Sequence, residues 1–168
     1  MSPSPLTLIL GGARSGKTRH AEGLIKALPA PWVYVATAEF WDEEMRERVE
    51  RHKADRSEAG WITVEAPTDL AAALATDHPV LVDCLTLWVT NLMLGDHDID
   101  AATLRLEAAL ATRSAPTFLV ANEVGLGIVP DNKMARDFRD HAGRLHQRLA
   151  QKADQVILMV AGLPLTVK

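Results

Sequence analysis

The chain has 168 residues, a length that suits one domain with a buried core and leaves little room for a second. Hydrophobic residues make up 48% of it and charged residues 24%, ordinary values for a globular protein, and no segment is repeated or of low complexity. The net charge of -4, without any long run of lysine or arginine, excludes the broad positive field of a general nucleic-acid or membrane-surface binder.

Short apolar runs alternate with helical patterns from one end of the chain to the other. The runs are predicted strands at residues 6–10, 32–37, 61–66, 80–85, 117–122 and 155–160. Several are hydrophobic almost throughout, as strands covered on both faces must be. The alternation predicts a single α/β domain over residues 1–168, with a mostly parallel sheet flanked by helices.

Three segments between these strands are typical of helices. The first follows the first strand at residues 19–28, and the second covers residues 68–77, with Thr68 and Asp69 as its start signals. The third begins after Pro130 and Asp131. Its apolar residues recur at helical spacing, at positions 134, 138, 145 and 149.

Targeting signals are missing from the sequence. Residues 1–10 lack the basic segment of an export signal, and the apolar run at 156–167 is broken by Gly162 and Pro164. Cys84 is the only cysteine, which excludes an intrachain disulfide and fits a reducing compartment. We therefore expect a cytoplasmic protein that does not enter the membrane.

A glycine-rich loop follows the first predicted strand. Gly11, Gly16, Lys17 and Thr18 match the P-loop pattern, and the match lies between a strand and a helix, as that pattern requires. Backbone N–H groups of such a loop surround a polyphosphate, the lysine reaches its outer phosphates, and the threonine hydroxyl binds Mg²⁺. The fold class is therefore P-loop NTPase-like, with Lys17 as a catalytic candidate.

A second Mg²⁺ ligand is predicted at Asp83. The run at 80–83 is an apolar strand that ends in a carboxylate, the arrangement of the second acidic motif that accompanies a P-loop. A strand-end aspartate that caps the backbone is the alternative at this position.

The segment at 39–56 contains a candidate nucleophile. Trp41, Met45, Val49 and His52 fall on one stripe of a predicted amphipathic helix. A neutral imidazole can attack the α-phosphorus of a nucleotide and carry the nucleotide as a phosphoramidate, while a half-buried structural histidine is the alternative. Because residues 132–135 lack the acid of a guanine-reading signature, a switch GTPase is disfavoured against a phosphotransferase.

Four stretches of the sequence are informative as a set: "GGARSGKTRHAE" at 11–22, "ERVERHKADR" at 47–56, "VLVDCLTLWVTNLM" at 80–93, and 122–165, which opens "NEVGLGIVPDNK". Taken together they resemble the bifunctional adenosylcobinamide kinase/adenosylcobinamide-phosphate guanylyltransferase family of cobalamin biosynthesis. The resemblance implies phosphorylation of adenosylcobinamide by ATP or GTP, then transfer of GMP from GTP through a GMP-histidine at His52. It also implies a homo-oligomer, a trimer in this family.

The resemblance further implies a set of nucleotide contacts, most of them at strand ends, where open α/β sheets bind ligands. They are Gly11, Gly12, Ala13, Arg14, Ser15, Gly16, Lys17, Thr18, Thr37, Ala38, Glu39, His52, Lys53, Ala54, Asp55, Glu65 and Asp83. The family pattern is broken at Ser57, where proline is expected, and at His146, where asparagine is more common.

Several polar residues keep two interpretations. Glu65 either contacts the nucleotide or solvates a strand end, and Glu123 either orients water, metal or the substrate hydroxyl or is structural. The arginines of the last long helix form either a solvated face or a clamp for the corrinoid phosphate; they are Arg136, Arg139, Arg144 and Arg148.

Two other functions remain as alternatives. A single-function small-molecule kinase would use the P-loop and keep His52 as scaffolding, so GTP would leave no covalent GMP on it. A nucleotide-dependent switch protein would change its affinity for a protein partner with GTP and would turn over little corrinoid.

Overall fold

The computed structural model describes residues 4–39 and 59–168. Within this part of the chain, seven strands form one sheet in the order β3-β2-β4-β5-β1-β6-β7. The strands are β1 (Leu6–Gly11), β2 (Trp32–Ala36), β3 (Trp61–Glu65), β4 (Val80–Asp83), β5 (Thr117–Asn122), β6 (Gln155–Val160) and β7 (Leu163–Thr166). Every neighbouring pair is parallel except β6 and β7, which form an antiparallel hairpin. The predicted α/β fold with a mostly parallel sheet is confirmed.

Helices cover both faces of this sheet. Those in the described residues are α1 (Lys17–Lys26), α2 (Leu70–Ala73), α3 (Leu85–Leu94), α4 (Ile99–Ala111) and α5 (Lys133–Lys152). One buried apolar cluster joins a sheet face to α2, α3, α4 and α5, and a second joins the other face to α1. Successive residues of β1, Leu8 and Ile9, belong to different clusters, which explains why the strands are hydrophobic throughout. No helix in the described ranges is long and apolar enough to cross a membrane.

The carboxyl ends of the parallel strands meet at one edge. Gly11 at the end of β1 pairs with Asn122 of β5, and Ala36 of β2 pairs with both Glu65 of β3 and Asp83 of β4. The loops that leave these strands therefore start side by side. This is the edge at which ligands bind in open α/β sheets.

Three differences between the observed elements and the predicted ones have a local cause. The strand predicted over 80–85 ends at Asp83, because Cys84 is the cap residue of α3. The helix predicted over 68–77 is only the short α2, which the side chain of Asp69 caps. Asn132 caps α5 through a bond from Ala135 N to its Oδ1 of 2.8 Å, so neither Pro130 nor Asp131 is the cap residue.

The β6–β7 hairpin was not predicted. The interruption at Gly162 is its turn, in which Ala161 has a φ of 50° and Gly162 a φ of 80°. Two positive φ values fit the tight turn that joins antiparallel strands. Pro164 follows on the edge strand, the position in a sheet where a missing N–H is tolerated.

Candidate active site

The loop between β1 and α1 needs glycine at both ends. A Cβ atom on Gly11 would lie 2.5 Å from Ser15 Oγ and 2.8 Å from the carbonyl oxygen of Met159, so no side chain fits there. Gly16 has a φ of 93°, in the left-handed region that side-chain-bearing residues avoid. It caps α1 without a side-chain bond, so the free N–H groups of the first turn face the loop. Such a loop can bind an anion.

The hairpin turn supports this loop from the side. Gly162 N donates to the carbonyl oxygen of Ser15 at 3.0 Å. A cavity of about 640 Å³ lies between the loop, α1 and the turn, and Arg14, Arg19 and His20 are among its lining residues. The unpredicted hairpin thus forms one wall of the site.

Lys17 is buried at the start of α1, with 7% of its surface exposed. Its Nζ donates to the carbonyl oxygen of Gly12 and lies 3.4 Å from Ser15 Oγ. Burial lowers the pKa of the Lys17 ammonium, and the nearby Cys84 and Asp83 oppose that shift. The two hydrogen-bond partners of Nζ, Gly12 O and Ser15 Oγ, are neutral groups of the loop itself. A phosphate oxygen is a stronger partner for an ammonium than either of them.

Thr18 and Asp83 are in direct contact. Thr18 Oγ1 donates to Asp83 Oδ2 at 3.0 Å, which joins the first turn of α1 to the end of β4. The Tyr34 hydroxyl of β2 donates to the same carboxylate oxygen at 2.7 Å. The two predicted Mg²⁺ ligands are therefore neighbours, and a hydroxyl next to a carboxylate suits a hard, oxygen-preferring cation.

Thr37 is fully buried after β2 and holds the backbone that follows Asp83. Its Oγ1 accepts a bond from Cys84 N at 2.9 Å and donates to Cys84 O at 2.7 Å. Asn91 of α3 donates from Nδ2 to the carbonyl oxygens of Thr37, at 2.7 Å, and Pro67, at 2.9 Å. The Thr37 hydroxyl is thus hydrogen-bonded to the backbone within the protein, where it joins the ends of β2 and β4.

The other predicted contacts divide into two groups. Ala38 and Glu39 are half-buried directly after Thr37, and Glu65 is exposed at the end of β3, one strand farther from Asp83. Residues 52–55, which include His52, lie outside the described residues, as does the stripe at 41–52. Contacts of all these residues with a nucleotide stay predictions.

Glu123 lies directly after β5, beside the loop. Its backbone N–H donates to the carbonyl oxygen of Gly11 at 2.9 Å, and its carboxylate accepts a bond from Gly125 N at 2.5 Å. It lines a cavity of about 550 Å³ together with Gly12 and Ser15. His146 of α5 is buried, and burial lowers its pKa while Glu123 opposes that shift.

The arginines of α5 differ from one another. Arg148 makes a paired contact with Glu107 of α4, at 2.9 and 2.8 Å, and Arg136 donates to the carbonyl oxygens of Pro130 and Asp131. Arg144 lies 3.3 Å from a ring nitrogen of His141. These contacts join α5 to α4 and to its own N-terminal loop.

Sequence reasoning did not single out Tyr34 or Asn91 as site residues. Tyr34 sits inside an apolar strand, and Asn91 is an isolated amide within α3, so neither forms a motif. Their roles depend on which strands are neighbours. The sequence carries no direct signal for that register, because β2 and β4 are separated along the chain by β3.

Fold and site together define an α/β protein of the P-loop class. Among solved structures the chain resembles the flagellar accessory protein FlaH from Methanocaldococcus jannaschii, with a TM-score of 0.51 and 15% identity, over 99% of this chain and 80% of that one. At this identity the likeness shows the fold alone.

Sequence comparison gives the family. The family model described as "Cobinamide kinase / cobinamide phosphate guanyltransferase" matches residues 7–167. The chain is 43% identical to the "Bifunctional adenosylcobalamin biosynthesis protein CobU" of Salmonella typhimurium, over 97% of this chain and 99% of that one. It is 44% identical to the protein of the same description, CobP, of Pseudomonas aeruginosa, over 96% of each. The chain therefore belongs to the cobinamide kinase / cobinamide phosphate guanyltransferase family of enzymes, and the resemblance inferred from its motifs is confirmed.

Proposed function

We propose that this enzyme phosphorylates adenosylcobinamide with ATP or GTP and then transfers GMP from GTP to the new phosphate, which yields adenosylcobinamide-GDP and pyrophosphate. The observation that carries the proposal is the contact between Thr18 and Asp83 beside Lys17, in a chain that matches the family over residues 7–167. Both transfers require a site that binds the phosphates of a nucleotide, a cationic side chain that offsets their charge, and a pair of side chains that binds a metal ion.

In the kinase step, a hydroxyl oxygen of the aminopropanol group attacks the γ-phosphorus. The bond from that phosphorus to the bridging oxygen breaks, and the hydroxyl proton passes to a base. Lys17 offsets negative charge on the phosphate oxygens. Thr18 and Asp83 would hold Mg²⁺, which supplies further neutralisation of that charge. Glu123, next to Gly12 in one cavity, is the candidate base.

In the nucleotidyl step, a ring nitrogen of His52 attacks the α-phosphorus of GTP, and pyrophosphate leaves. An oxygen of the substrate phosphate then attacks the same phosphorus, and the imidazole leaves. His52 lies outside the described residues. What supports its part is the family match together with the path of the chain, which enters segment 40–58 from the end of β2, where Ala36 pairs with Asp83.

The enzyme would also form a homo-oligomer, a trimer by family resemblance, of chains that each fold as one domain in the cytoplasm. Large apolar side chains with high exposure support self-association. They include Leu126 (86%), Ile128 (97%) and Leu163 (71%), in the loop after β5 and on the hairpin.

The decisive experiment uses GTP labelled at the α-phosphorus, with Mg²⁺, on the wild type and on His52→Ala. We expect acid-labile, alkali-stable label on the wild type and none on the variant. His78→Ala is the matched control, since His78 precedes β4 at the opposite edge of the sheet and should leave labelling intact.

Each alternative predicts a different result. Folded wild type that binds GTP and phosphorylates cobinamide but takes no label would be a single-function kinase. Protein that turns over no corrinoid, yet binds a partner with GTP-dependent affinity, would be a switch. Label that persists in His52→Ala would place the nucleophile on another residue.

A further inference from the structure

Two hydroxyl groups converge on one oxygen of Asp83. Thr18 Oγ1 lies 3.0 Å from Oδ2 and the Tyr34 hydroxyl lies 2.7 Å from it, and both donate. Thr18 belongs to the P-loop, whose threonine has an expected part in metal binding. Tyr34 belongs to no motif, and nothing in its sequence context assigns it a function.

The strand register explains how Tyr34 reaches the carboxylate. β2 and β4 are parallel neighbours, in which Tyr34 pairs with Leu81 and Ala36 pairs with Asp83. Residues two apart on a strand share a face, so Tyr34 and Ala36 point to the same side. The phenol thus extends along the sheet toward the strand end and places its oxygen at Asp83.

The ring of Tyr34 is held in that position by its neighbours. Only 6% of the residue is exposed, and Trp61 of β3 meets the ring edge-on at a centroid distance of 6.0 Å. Trp61 packs in turn against Trp32 at 5.4 Å. Because the ring is packed in this way, the Tyr34 hydroxyl has little freedom to move away from Asp83.

We propose that Tyr34 is a positioning residue for the divalent cation, because its hydroxyl fixes the rotation of the Asp83 carboxylate. The inference rests on the proposed Mg²⁺ site at Thr18 and Asp83. The terminal torsion of aspartate is soft, so a carboxylate with one donor turns more readily than one with two. With both donors on Oδ2, Oδ1 is directed to the metal or to its water. Partners that orient a metal ligand typically contribute about 10–100-fold in metal affinity.

The test measures metal binding apart from turnover. Mn²⁺ is titrated into protein with a non-hydrolysable GTP analogue, and free Mn²⁺ is followed by electron paramagnetic resonance. We expect Tyr34→Phe to raise the Mn²⁺ dissociation constant about tenfold or more. Affinity for the metal-free analogue and the thermal midpoint should stay near wild type, and the kinase rate should recover at high Mg²⁺.

Thr103→Val is the matched control, since it removes a buried hydroxyl that donates to the carbonyl oxygen of Ile99 in the same helix, α4. It should bind Mn²⁺ as the wild type does. Tyr34→Phe with wild-type Mn²⁺ affinity would overturn the proposal. So would a variant that loses metal-free nucleotide binding and stability to the same degree, because Tyr34 would then be structural. If the wild type binds Mn²⁺ but transfers no GMP, the proposed function fails and the Tyr34 result still stands.

Discussion

The two edges of the sheet each contain a buried cation, and these cations are bonded differently. Arg113, at the amino edge, is 6% exposed, and Lys17, at the carboxyl edge, is 7% exposed. Burial lowers the pKa of both. The guanidinium of Arg113 donates at 2.6 to 2.8 Å to four oxygen atoms, which are the carbonyl oxygens of Leu74, Thr76 and His78 and the hydroxyl oxygen of Thr117.

Within residues 4–39 and 59–168, Lys17 is bonded only to its own loop, through Gly12 O and the longer contact to Ser15 Oγ. Its ammonium has three donors, so capacity remains for a phosphate. Burial alone therefore does not identify a functional cation. The degree to which its donors are already used separates a cation that stabilises the fold from one that can bind a ligand.

The largest expected effect is on catalysis at Lys17. Lys17→Met should lower kcat in both reactions by about 10²–10³-fold or more, since removal of one preorganised donor to the transition-state charge typically costs about that much. The thermal midpoint should not fall, because the variant removes a desolvated charge whose hydrogen-bond partners are neutral. Lys26→Met, at the exposed end of α1, is the control and should keep activity. A large loss of stability in Lys17→Met would mean that Lys17, like Arg113, stabilises the fold.

The next effect is on folding at Arg113. Arg113→Met should lower the free energy of unfolding by about 2–4 kcal/mol, since each buried carbonyl left without a donor costs about 1–3 kcal/mol. Water from the adjacent cavity, about 270 Å³ and lined by Thr76 and Ser114, would recover part of the loss. Urea denaturation measures it, with the exposed Arg105→Met as control. Normal stability combined with lost kinase activity would contradict the assignment.

The carboxyl edge was largely predictable from the sequence, and the amino edge was not. The P-loop and Asp83 carry their signal in local spacing, because the loop must fold tightly between a strand and a helix. Arg113 takes its partners from residues 74–78 and from Thr117, and Tyr34 reaches Asp83 across a strand pair. Such contacts depend on strand order, which periodicity does not encode. The hairpin was missed because its turn looked like the interruption of an apolar run.

The smallest expected effect concerns a third buried basic group, His146 of α5, which is 8% exposed. Burial holds its pKa below the ordinary value of 6.5, and Glu123 opposes that shift. Between the lowered pKa and the ordinary one, the unfolded chain binds more protons than the folded chain, so the free energy of unfolding rises with pH across this window. One such group contributes at most about 1.4 kcal/mol per pH unit.

His146→Asn should flatten this slope, because asparagine takes up no proton. Urea denaturation at pH 7.5 and at a pH below 6.5 measures the difference for the wild type and the variant. His97→Asn, the same substitution at an exposed position, is the matched control. Equal slopes in the wild type and His146→Asn would mean that protonation of His146 does not lower the free energy of unfolding. His146 would then resemble Lys17, whose donors are not all used within the described residues, more than Arg113, whose guanidinium donates to four oxygen atoms of the fold.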